Sequence, residues 1–166
     1  MTVSKMVNDF ANITGQEGTK KLYTTLIEEE YNEWCAEIGQ DPAAEIKELA
    51  DLVYVIYGYA RVKDTTFVPS AEQLAGWLDI QYVMEQWFEE HGCGSKAREY
   101  RMIEKALGII YNYADNNGWD LPEAIRRVHQ NNLGRCIQPD GTIQRRVDGK
   151  IIKNKDYPPV VLGDLV

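Results

Sequence analysis

Acidic residues occur in two closely spaced groups whose types and spacing could hold a metal ion. Glu29, Glu30 and Glu33 form the first group, and Glu48 and Asp51 form the second. Carboxylate oxygens are hard ligands that favour Mg²⁺, or alternatively Mn²⁺, over zinc. The chain has only two histidines and three widely spaced cysteines, without a Cys-x-x-Cys pair. This composition argues against a zinc site and against a disulfide framework.

The first acidic group lies on the apolar side of a predicted helix. With a rotation of about 100° per residue, Glu29 and Glu33 fall within about 20° of Leu22. Glu30 falls about 80° from Leu22, and Leu26 lies between them at about 40°. An ordinary amphipathic helix turns its charged residues to solvent and its apolar residues to the core. The carboxylates of this helix are therefore expected to face the interior of the protein.

The second acidic group repeats this pattern on the following helix. Leu52, Val55 and Tyr59 form the apolar stripe of that helix. Glu48 lies at the centre of the stripe, and Asp51 lies about 60° away at its edge. Two neighbouring helices would thus present acids spaced three residues apart toward a common interior. Such an arrangement can enclose one or two divalent cations and leave positions open for water and phosphate.

Carboxylates that face a core are costly unless something positive neutralises them. Lys47 is the nearest basic residue, but its position projects about 100° away from Glu48. The sequence therefore predicts no lysine partner for these acids, and a divalent cation is the simplest explanation. The alternative is a solvated acidic helix face, which is the expected state of Glu37 and Glu45.

The overall charge and hydropathy exclude several classes of function. The formal net charge is −8, so the chain would gain nothing from the counterion release that favours DNA or RNA binding. No apolar run is long enough to span a membrane, and the first ten residues lack the apolar core of a signal peptide. We therefore expect a cytoplasmic protein with no nucleic-acid partner and no membrane partner. An acidic protein can still bind phosphates through bridging metal ions, and basic residues are concentrated between positions 126 and 155.

Periodicity and capping signals predict one all-α domain over residues 1–166, a bundle of five to six helices. The expected helices cover residues 4–13, 18–38, 42–63, 70–91, 95–117 and 121–131. Side chains that can accept hydrogen bonds from a first helical turn mark the predicted N-caps. These caps are Asp41, Ser70, Ser95 and Asp120.

The spacing of the acidic residues resembles a known motif. Glu29-Glu30-x-x-Glu33 followed by Glu48-x-x-Asp51 is similar to the EExxE…ExxD signature of the all-α nucleoside triphosphate pyrophosphohydrolases. That superfamily includes MazG-like proteins, phosphoribosyl-ATP pyrophosphohydrolase-like proteins and dimeric dUTPases. The stretches LIEEEYNEW, KELADLVYVIYGYA and DLPEAIRRVHQNNLGR most resemble small MazG-like members carried by bacteriophages. The resemblance covers roughly residues 18–63 and 107–162.

This resemblance implies a Mg²⁺-dependent enzyme that converts a nucleoside triphosphate or a related nucleotide into a monophosphate and pyrophosphate. It implies that Mg²⁺ is bound by Glu30, Glu33, Glu48 and Asp51. Glu29 would be a further ligand or would orient the attacking water. Glu29 and Glu33 are therefore the expected catalytic carboxylates.

Substrate contacts are also implied by the resemblance. Asn132, Arg135, Lys150 and Lys153 would approach the phosphates or the base, with a solvated basic tail as the alternative. Residues 131–135 read Asn-Asn-Leu-Gly-Arg where the family usually has Ser-Asn-Met-Ser-Lys. Arginine keeps the charge of the lysine but differs in reach and geometry, so the identity of the nucleotide is left open.

Two segments differ from the core helices. Residues 64–98 look like a helical insertion relative to compact family members. The aromatic residues of this insertion are expected to complete the core or to form part of an oligomer interface, rather than to stack on a base; they are Trp77, Tyr82, Trp87 and Phe88. Residues 134–166 are expected to form an extended tail with a hairpin around residues 140–150, because Asp-Gly pairs are turn signals. Family members are homo-oligomers, so the resemblance implies a homodimer or homotetramer.

Two other classes of function stay open. The chain could be a non-catalytic protein that sequesters or senses a nucleotide or metal, or it could be a purely structural helical bundle. A di-iron carboxylate bundle is less consistent with the sequence, because it would require Glu-x-x-His pairs. None of the acids named above has a histidine three residues later.

Overall fold

Six helices account for the regular structure of the protein. The computed structural model describes all 166 residues. The helices are α1 (Val3–Thr14), α2 (Lys20–Glu37), α3 (Pro42–Val62), α4 (Trp77–Glu90), α5 (Lys96–Asn116) and α6 (Leu121–Arg135). The predicted all-α bundle is therefore confirmed. None of the helices combines the length and the apolar character needed to cross a membrane.

Short polar side chains determine where most of the helices begin. Thr19, Asp41, Ser95 and Asp120 each accept a hydrogen bond from a backbone N–H in the first turn of the following helix. Such caps satisfy N–H groups that have no partner inside the helix. Three of the four predicted N-caps are confirmed in this way, and Ser70 is the exception.

The central element of the bundle is α3, in which every residue from Leu49 to Ala60 is buried. It packs along α2 and also contacts α1, α5 and α6, whereas α4 packs against α5. Trp34 and Trp87 are fully enclosed in the single apolar core that these helices share. A helix that is buried on all sides is normally apolar on all sides, so Asp51 is unusual within α3.

The fourth helix begins later than the sequence pattern predicts. Ser70 and Gln73 do not form a capping box, and α4 begins at Trp77 after the N-cap Gly76. The backbone N–H of Ser70 instead donates to the carbonyl of Glu104 on α5, at 3.0 Å. A tertiary hydrogen bond has therefore replaced the local one that the sequence suggested.

Residues 65–76 form an extended strap that crosses α5. The Nδ2 of Asn112 donates to the carbonyls of Glu72 and Leu74, at 2.7 and 3.1 Å. Gly108 lies directly below the crossing, because a Cβ at this position would lie 2.2 Å from the carbonyl oxygen of Ser70. The strap can therefore lie this close to α5 only over a residue without a side chain.

The aromatic residues of α4 divide between core and surface. Trp87 is fully buried, and Phe88 is half-buried against the core. Trp77 and Tyr82 are 40% and 63% exposed. Packing in the core therefore applies to the first pair only. The second pair lies on the outer surface of the bundle, where a role in an oligomer interface stays a prediction.

The last helix is longer than predicted, and hydrogen bonds fix the tail that follows it. α6 continues to Arg135, four residues beyond its predicted end. Arg145 and Ile151 form one antiparallel bridge, so the expected hairpin is present in the tail. The N–H of Asp120 donates to the carbonyl of Leu165 at 3.0 Å, which returns the end of the chain to the start of α6.

The strap crossing predicts that alanine at position 108 destabilises the protein. Alanine favours a helix over glycine by up to about 1 kcal/mol, but the added Cβ would meet the backbone of Ser70. We expect a net loss of about 1–3 kcal/mol in the free energy of unfolding, measured by urea denaturation. Gly94→Ala is the control, because its Cβ would have no heavy atom nearer than 3.8 Å. A gain of stability in Gly108→Ala would contradict the crossing.

Candidate functional site

Carboxylates from α2 and α3 converge at one point of this helix pair. One oxygen from each of Glu30, Glu33 and Glu48 lies within 4.8 Å of the others. Glu30 is buried, Glu48 is half-buried and Glu33 is exposed, although periodicity placed Glu33 on the apolar side. This carboxylate cluster therefore runs from the interior to the surface, and Glu33 lies at its mouth.

Burial and like charge oppose ionisation within the carboxylate cluster. Burial and the neighbouring charge of Asp51 raise the pKa of Glu30 to about 8. Burial also raises the pKa of Glu48, against the opposing effect of Lys47. The Oε2 of Glu48 is buried and has no hydrogen-bond partner. Convergent carboxylates with an unpartnered oxygen fit a hard divalent cation such as Mg²⁺, which Glu30, Glu33 and Glu48 could hold.

Lys47 supplies a counter-charge that the helical wheel did not predict. Its Nζ lies 2.7 Å from Oε1 of Glu48 and 3.0 Å from Oδ2 of Asp51. A helical wheel gives the direction of each Cβ, whereas the flexible four-carbon chain of lysine can reach back to its neighbours. The expectation that no lysine neutralises these acids is therefore wrong.

Asp51 is the fourth predicted ligand, and it lies beside the three convergent carboxylates rather than among them. Its side chain is buried and lines a cleft together with Glu30. Burial raises the pKa of Asp51, but the charges of Lys153 and Lys47 outweigh this effect and lower it. Asp51 is therefore an ionised group that connects the carboxylate cluster to the basic residues nearby.

The cleft beside the carboxylate cluster has a polar end and an aromatic end. The polar lining consists of Glu30, Asp51, Asn132, Lys150 and Lys153. The remaining lining is mainly apolar and aromatic, and consists of Val7, Phe10, Gln16, Tyr23, Leu26, Tyr54, Val55 and Ile151. Glu30 belongs to both the cluster and the cleft, so an ion held by the cluster would lie at the polar end.

Three of the four predicted substrate-binding residues line this cleft. Asn132 comes from α6, and Lys150 and Lys153 come from the tail hairpin and the segment after it. Arg135 does not line the cleft, and its Nε is buried without a hydrogen-bond partner. The family resemblance thus grouped three side chains, up to 21 positions apart, that share one cleft, and their role in substrate binding stays a prediction.

Glu29 is held by the tail rather than by the carboxylate cluster. Its carboxylate accepts hydrogen bonds from Lys150 at 2.5 Å and from Arg146 at 3.1 Å. Partial burial raises the pKa of Glu29, but the hydrogen bonds from these two basic residues outweigh it and lower the pKa. In this geometry Glu29 anchors the hairpin over α2. Its role as a metal ligand or a water-orienting group stays a prediction.

The aromatic end of the cleft was not found from the sequence. The ring of Tyr23 packs on Gly58 of α3, where a Cβ would lie 2.0 Å from Cε1 of the ring. A glycine inside a helix costs about 1 kcal/mol relative to alanine, so Gly58 was the available signal of a close approach. The Gln16 amide donates to the Tyr23 hydroxyl at 3.5 Å, and the Tyr54 hydroxyl bonds to Nδ1 of His129 at 2.9 Å.

A further buried glutamate belongs to the fold and not to the site. Glu45, which the solvated alternative places at the surface, is only 3% exposed. Its carboxylate accepts hydrogen bonds from the Tyr113 hydroxyl at 2.6 Å and from the Gly39 N–H at 3.0 Å. Glu45 therefore ties the turn between α2 and α3 to α5, and the solvated alternative is wrong for this residue.

Comparison of the chain with protein-family models, with curated proteins and with solved structures finds no match. The resemblance to the pyrophosphohydrolases therefore rests on the acidic motif and the stretches quoted for it. The geometry of the site has to support any function independently of relatives.

Removal of the charge at Glu29 tests its role as the anchor of the hairpin. In Glu29→Gln the partly exposed pairs with Arg146 and Lys150 lose their negative partner, which costs about 1 kcal/mol. We expect roughly fivefold faster hydrogen–deuterium exchange at residues 144–152, with no change in α3. Glu28→Gln, at the exposed neighbouring position, is the matched control. Equal exchange rates in the two variants would show that Glu29 does not anchor the hairpin.

Proposed function

We propose that this protein is a Mg²⁺-dependent nucleoside triphosphate pyrophosphohydrolase that splits a (d)NTP or a related nucleotide into a monophosphate and pyrophosphate. The observation that carries the proposal is the position of Glu30, which belongs to the carboxylate cluster and also lines the cleft that contains Lys150 and Lys153. Carboxylates that could ligate a cation and lysines that could bind phosphate are thus adjacent. The resemblance of the acidic motif to this class of enzyme supports the same function.

The proposed cation site uses oxygen ligands from both central helices. Glu30, Glu33 and Glu48 would hold the ion, and Asp51 lies beside Glu30 on the wall of the cleft. When bound, Mg²⁺ would supply the positive charge that a polyphosphate and an attacking water both require. Oxygen-only sites of this kind suit Mg²⁺ and Mn²⁺.

The basic residues at the polar end would bind the polyphosphate chain. Lys150 and Lys153 line the cleft next to the carboxylates, so their ammonium groups can donate charge-assisted hydrogen bonds to phosphate oxygens. The Asn132 side chain is buried in the same wall and offers a neutral amide donor. These three residues would orient the triphosphate toward the carboxylate cluster.

The reaction also requires an acceptor for one proton. The water oxygen forms a bond to the α-phosphorus, and the bond from that phosphorus to the α,β-bridging oxygen breaks. Pyrophosphate leaves with the electron pair of the broken bond, and the water gives up a proton. Glu33 is the carboxylate best placed to accept this proton, because it lies exposed at the mouth of the cluster. Glu29 is less suited in this geometry, because Lys150 and Arg146 already occupy its oxygens.

The aromatic end of the cleft would contact the base. Tyr23 lies seven residues before Glu30 on α2, which separates the two positions by about 10 Å along the helix axis. Phe10, which is half-buried, adds ring surface there on which a base can stack, whereas the Tyr54 ring already stacks on His129. The Gln16 amide adds both a hydrogen-bond donor and an acceptor. The cleft thus offers different chemistry to the two ends of a nucleotide.

The assembly proposed from the resemblance is a homodimer or homotetramer. Trp77, Leu78 and Tyr82 give α4 an exposed apolar surface of the kind that subunit interfaces bury.

A non-catalytic protein that binds a nucleotide or a metal is the alternative function, and it would use the same cleft. An assay of hydrolysis separates the two.

Substitution of the proposed ligands should abolish turnover without unfolding the chain. We expect Mg²⁺-dependent pyrophosphate release from a panel of (d)NTPs, and a fall of at least about 100-fold in kcat/KM for Glu33→Gln and Glu48→Gln. Glu37→Gln is the matched control, because Glu37 is a half-buried acid on α2 outside the carboxylate cluster. Circular dichroism checks that the helices persist.

Two outcomes of this assay would contradict the proposal. Unchanged turnover in Glu48→Gln would show that this residue does not hold a required ion. Absence of pyrophosphate release from every (d)NTP, with nucleotide binding retained in calorimetry, would favour the non-catalytic alternative.

Gln16 should affect recognition of the base and not the chemistry at phosphorus. In Gln16→Leu the side chain keeps its approximate volume but loses its amide, so KM for the preferred nucleotide should rise about tenfold. The kcat for that nucleotide, which reports the chemistry at phosphorus, should not change. Gln40→Leu, in the exposed turn after α2, is the control. A fall in kcat as large as the rise in KM would indicate general damage to the cleft.

A further inference from the structure

Lys47 is the lysine most closely engaged with the carboxylates that face the interior. Its Nζ lies 2.7 Å from Oε1 of Glu48 and 3.0 Å from Oδ2 of Asp51. Lys150 is more distant from them, because its Nζ lies 3.9 Å from Oε1 of Glu30 and pairs mainly with Glu29. Lys153 acts on Asp51 through its charge and not through a hydrogen bond. The Lys47 side chain is itself 31% exposed, so solvent lies beside it. It can therefore leave the acids without opening the core.

An ammonium group and a divalent cation compete for the negative charge of the same carboxylates. Mg²⁺ binds carboxylate oxygens at about 2.0–2.1 Å, which is shorter than the contacts that the lysine makes with Glu48 and Asp51. An ion bound to Glu48 would lie within a few ångströms of the Lys47 ammonium, and two positive charges at that separation repel each other. Occupation of the cluster by a cation therefore favours withdrawal of the lysine toward solvent.

We propose that Lys47 is a built-in counterion of the carboxylate cluster, which neutralises Glu48 and Asp51 without metal and is displaced when a divalent cation binds. This inference rests on the cation site of the proposed function, but it concerns a residue that the acidic motif does not contain. Lys47 stabilises the metal-free fold and weakens metal binding, so it sets the cation concentration at which the site fills. It is a positioning residue and not a metal ligand.

The test measures metal affinity and metal-free stability in the same variants. Lys47→Met and Lys47→Gln remove the charge, whereas Lys47→Arg keeps it. We expect the two neutral variants to bind Mn²⁺, followed by electron paramagnetic resonance, and Mg²⁺, followed by calorimetry, roughly tenfold more tightly than the wild type. Their melting temperature in EDTA should fall, and saturating Mg²⁺ should restore it. Lys47→Arg should keep the wild-type affinity within about threefold.

A matched control separates local competition from a change of net charge. Lys5→Met removes the same charge from another i,i+4 pair, in which Nζ lies 2.9 Å from Oδ2 of Asp9. It should leave the affinity for Mn²⁺ unchanged. Equal tightening in Lys5→Met and Lys47→Met would overturn the proposal, as would unchanged or weaker Mn²⁺ binding in the two neutral variants.

The outcomes also separate this inference from the proposed hydrolysis. Tighter Mn²⁺ binding in Lys47→Met, in a protein that releases no pyrophosphate, would support the counterion role and overturn the enzyme. Mg²⁺-dependent pyrophosphate release with no change in Mn²⁺ affinity in Lys47→Met would overturn the counterion role and leave the enzyme intact. Absence of Mn²⁺ binding in all of the variants would overturn both.

Discussion

Negative charge enclosed between α2 and α3 is the constraint on which the other features of this structure depend. Glu30 and Asp51 are both buried, and Glu48 is half-buried beside them. Removal of carboxylates from water is costly, so a fold that contains them has to supply positive charge or hold protons. The raised pKa of Glu30 and the lowered pKa of Asp51 show that both responses operate within one helix pair. Both of these buried acids line the cleft.

The positive charge comes from two groups of lysines, one close to the acids in sequence and one distant from them. Lys47 belongs to the same helix as its acidic partners, so its contacts form as soon as α3 folds. Lys150 and Lys153 reach the site only because the tail hairpin returns across α2, where Glu29 pairs with Arg146 and Lys150. The acidic sequence of α2 and the basic sequence of the tail are thus complementary parts of one electrostatic arrangement, although the overall charge of the chain is strongly negative.

Helical periodicity was sufficient to predict the bundle and the inward position of Glu48 and Asp51, because the direction of each Cβ follows from backbone geometry. On α2 it placed Glu33 nearer the apolar stripe than Glu30, whereas Glu33 is exposed and Glu30 is buried. Periodicity was insufficient where a contact depends on the length of a flexible side chain or on a partner that is distant in sequence. The Lys47 side chain bends toward acids that a helical wheel places elsewhere. Ser70 begins a good capping sequence, but its N–H donates to the carbonyl of Glu104 on α5. Capping rules, which consider only neighbouring residues, do not predict that contact.

The sequence also could not predict the aromatic end of the cleft. Phe10, Tyr23 and Tyr54 come from three helices, and their convergence depends on how those helices pack. Only Gly58 hinted at it, because a glycine in a long apolar helix indicates that another group approaches closely. Glu45 was expected at the surface, because a glutamate in a first helical turn is usually solvated. It is instead buried, and its carboxylate accepts hydrogen bonds from the turn before α3 and from Tyr113 of α5.

The lining of the cleft spans most of the chain, from Val7 in α1 to Lys153 in the tail. During synthesis on the ribosome the helices emerge in order, and the acids of α2 and α3 precede the lysines of the tail by about a hundred residues. The nascent bundle therefore has to carry its enclosed negative charge for several seconds with Lys47 as its nearest lysine. The cleft is complete only after the last of these residues has left the exit tunnel, so a prematurely terminated chain would contain the acidic motif without the complete cleft.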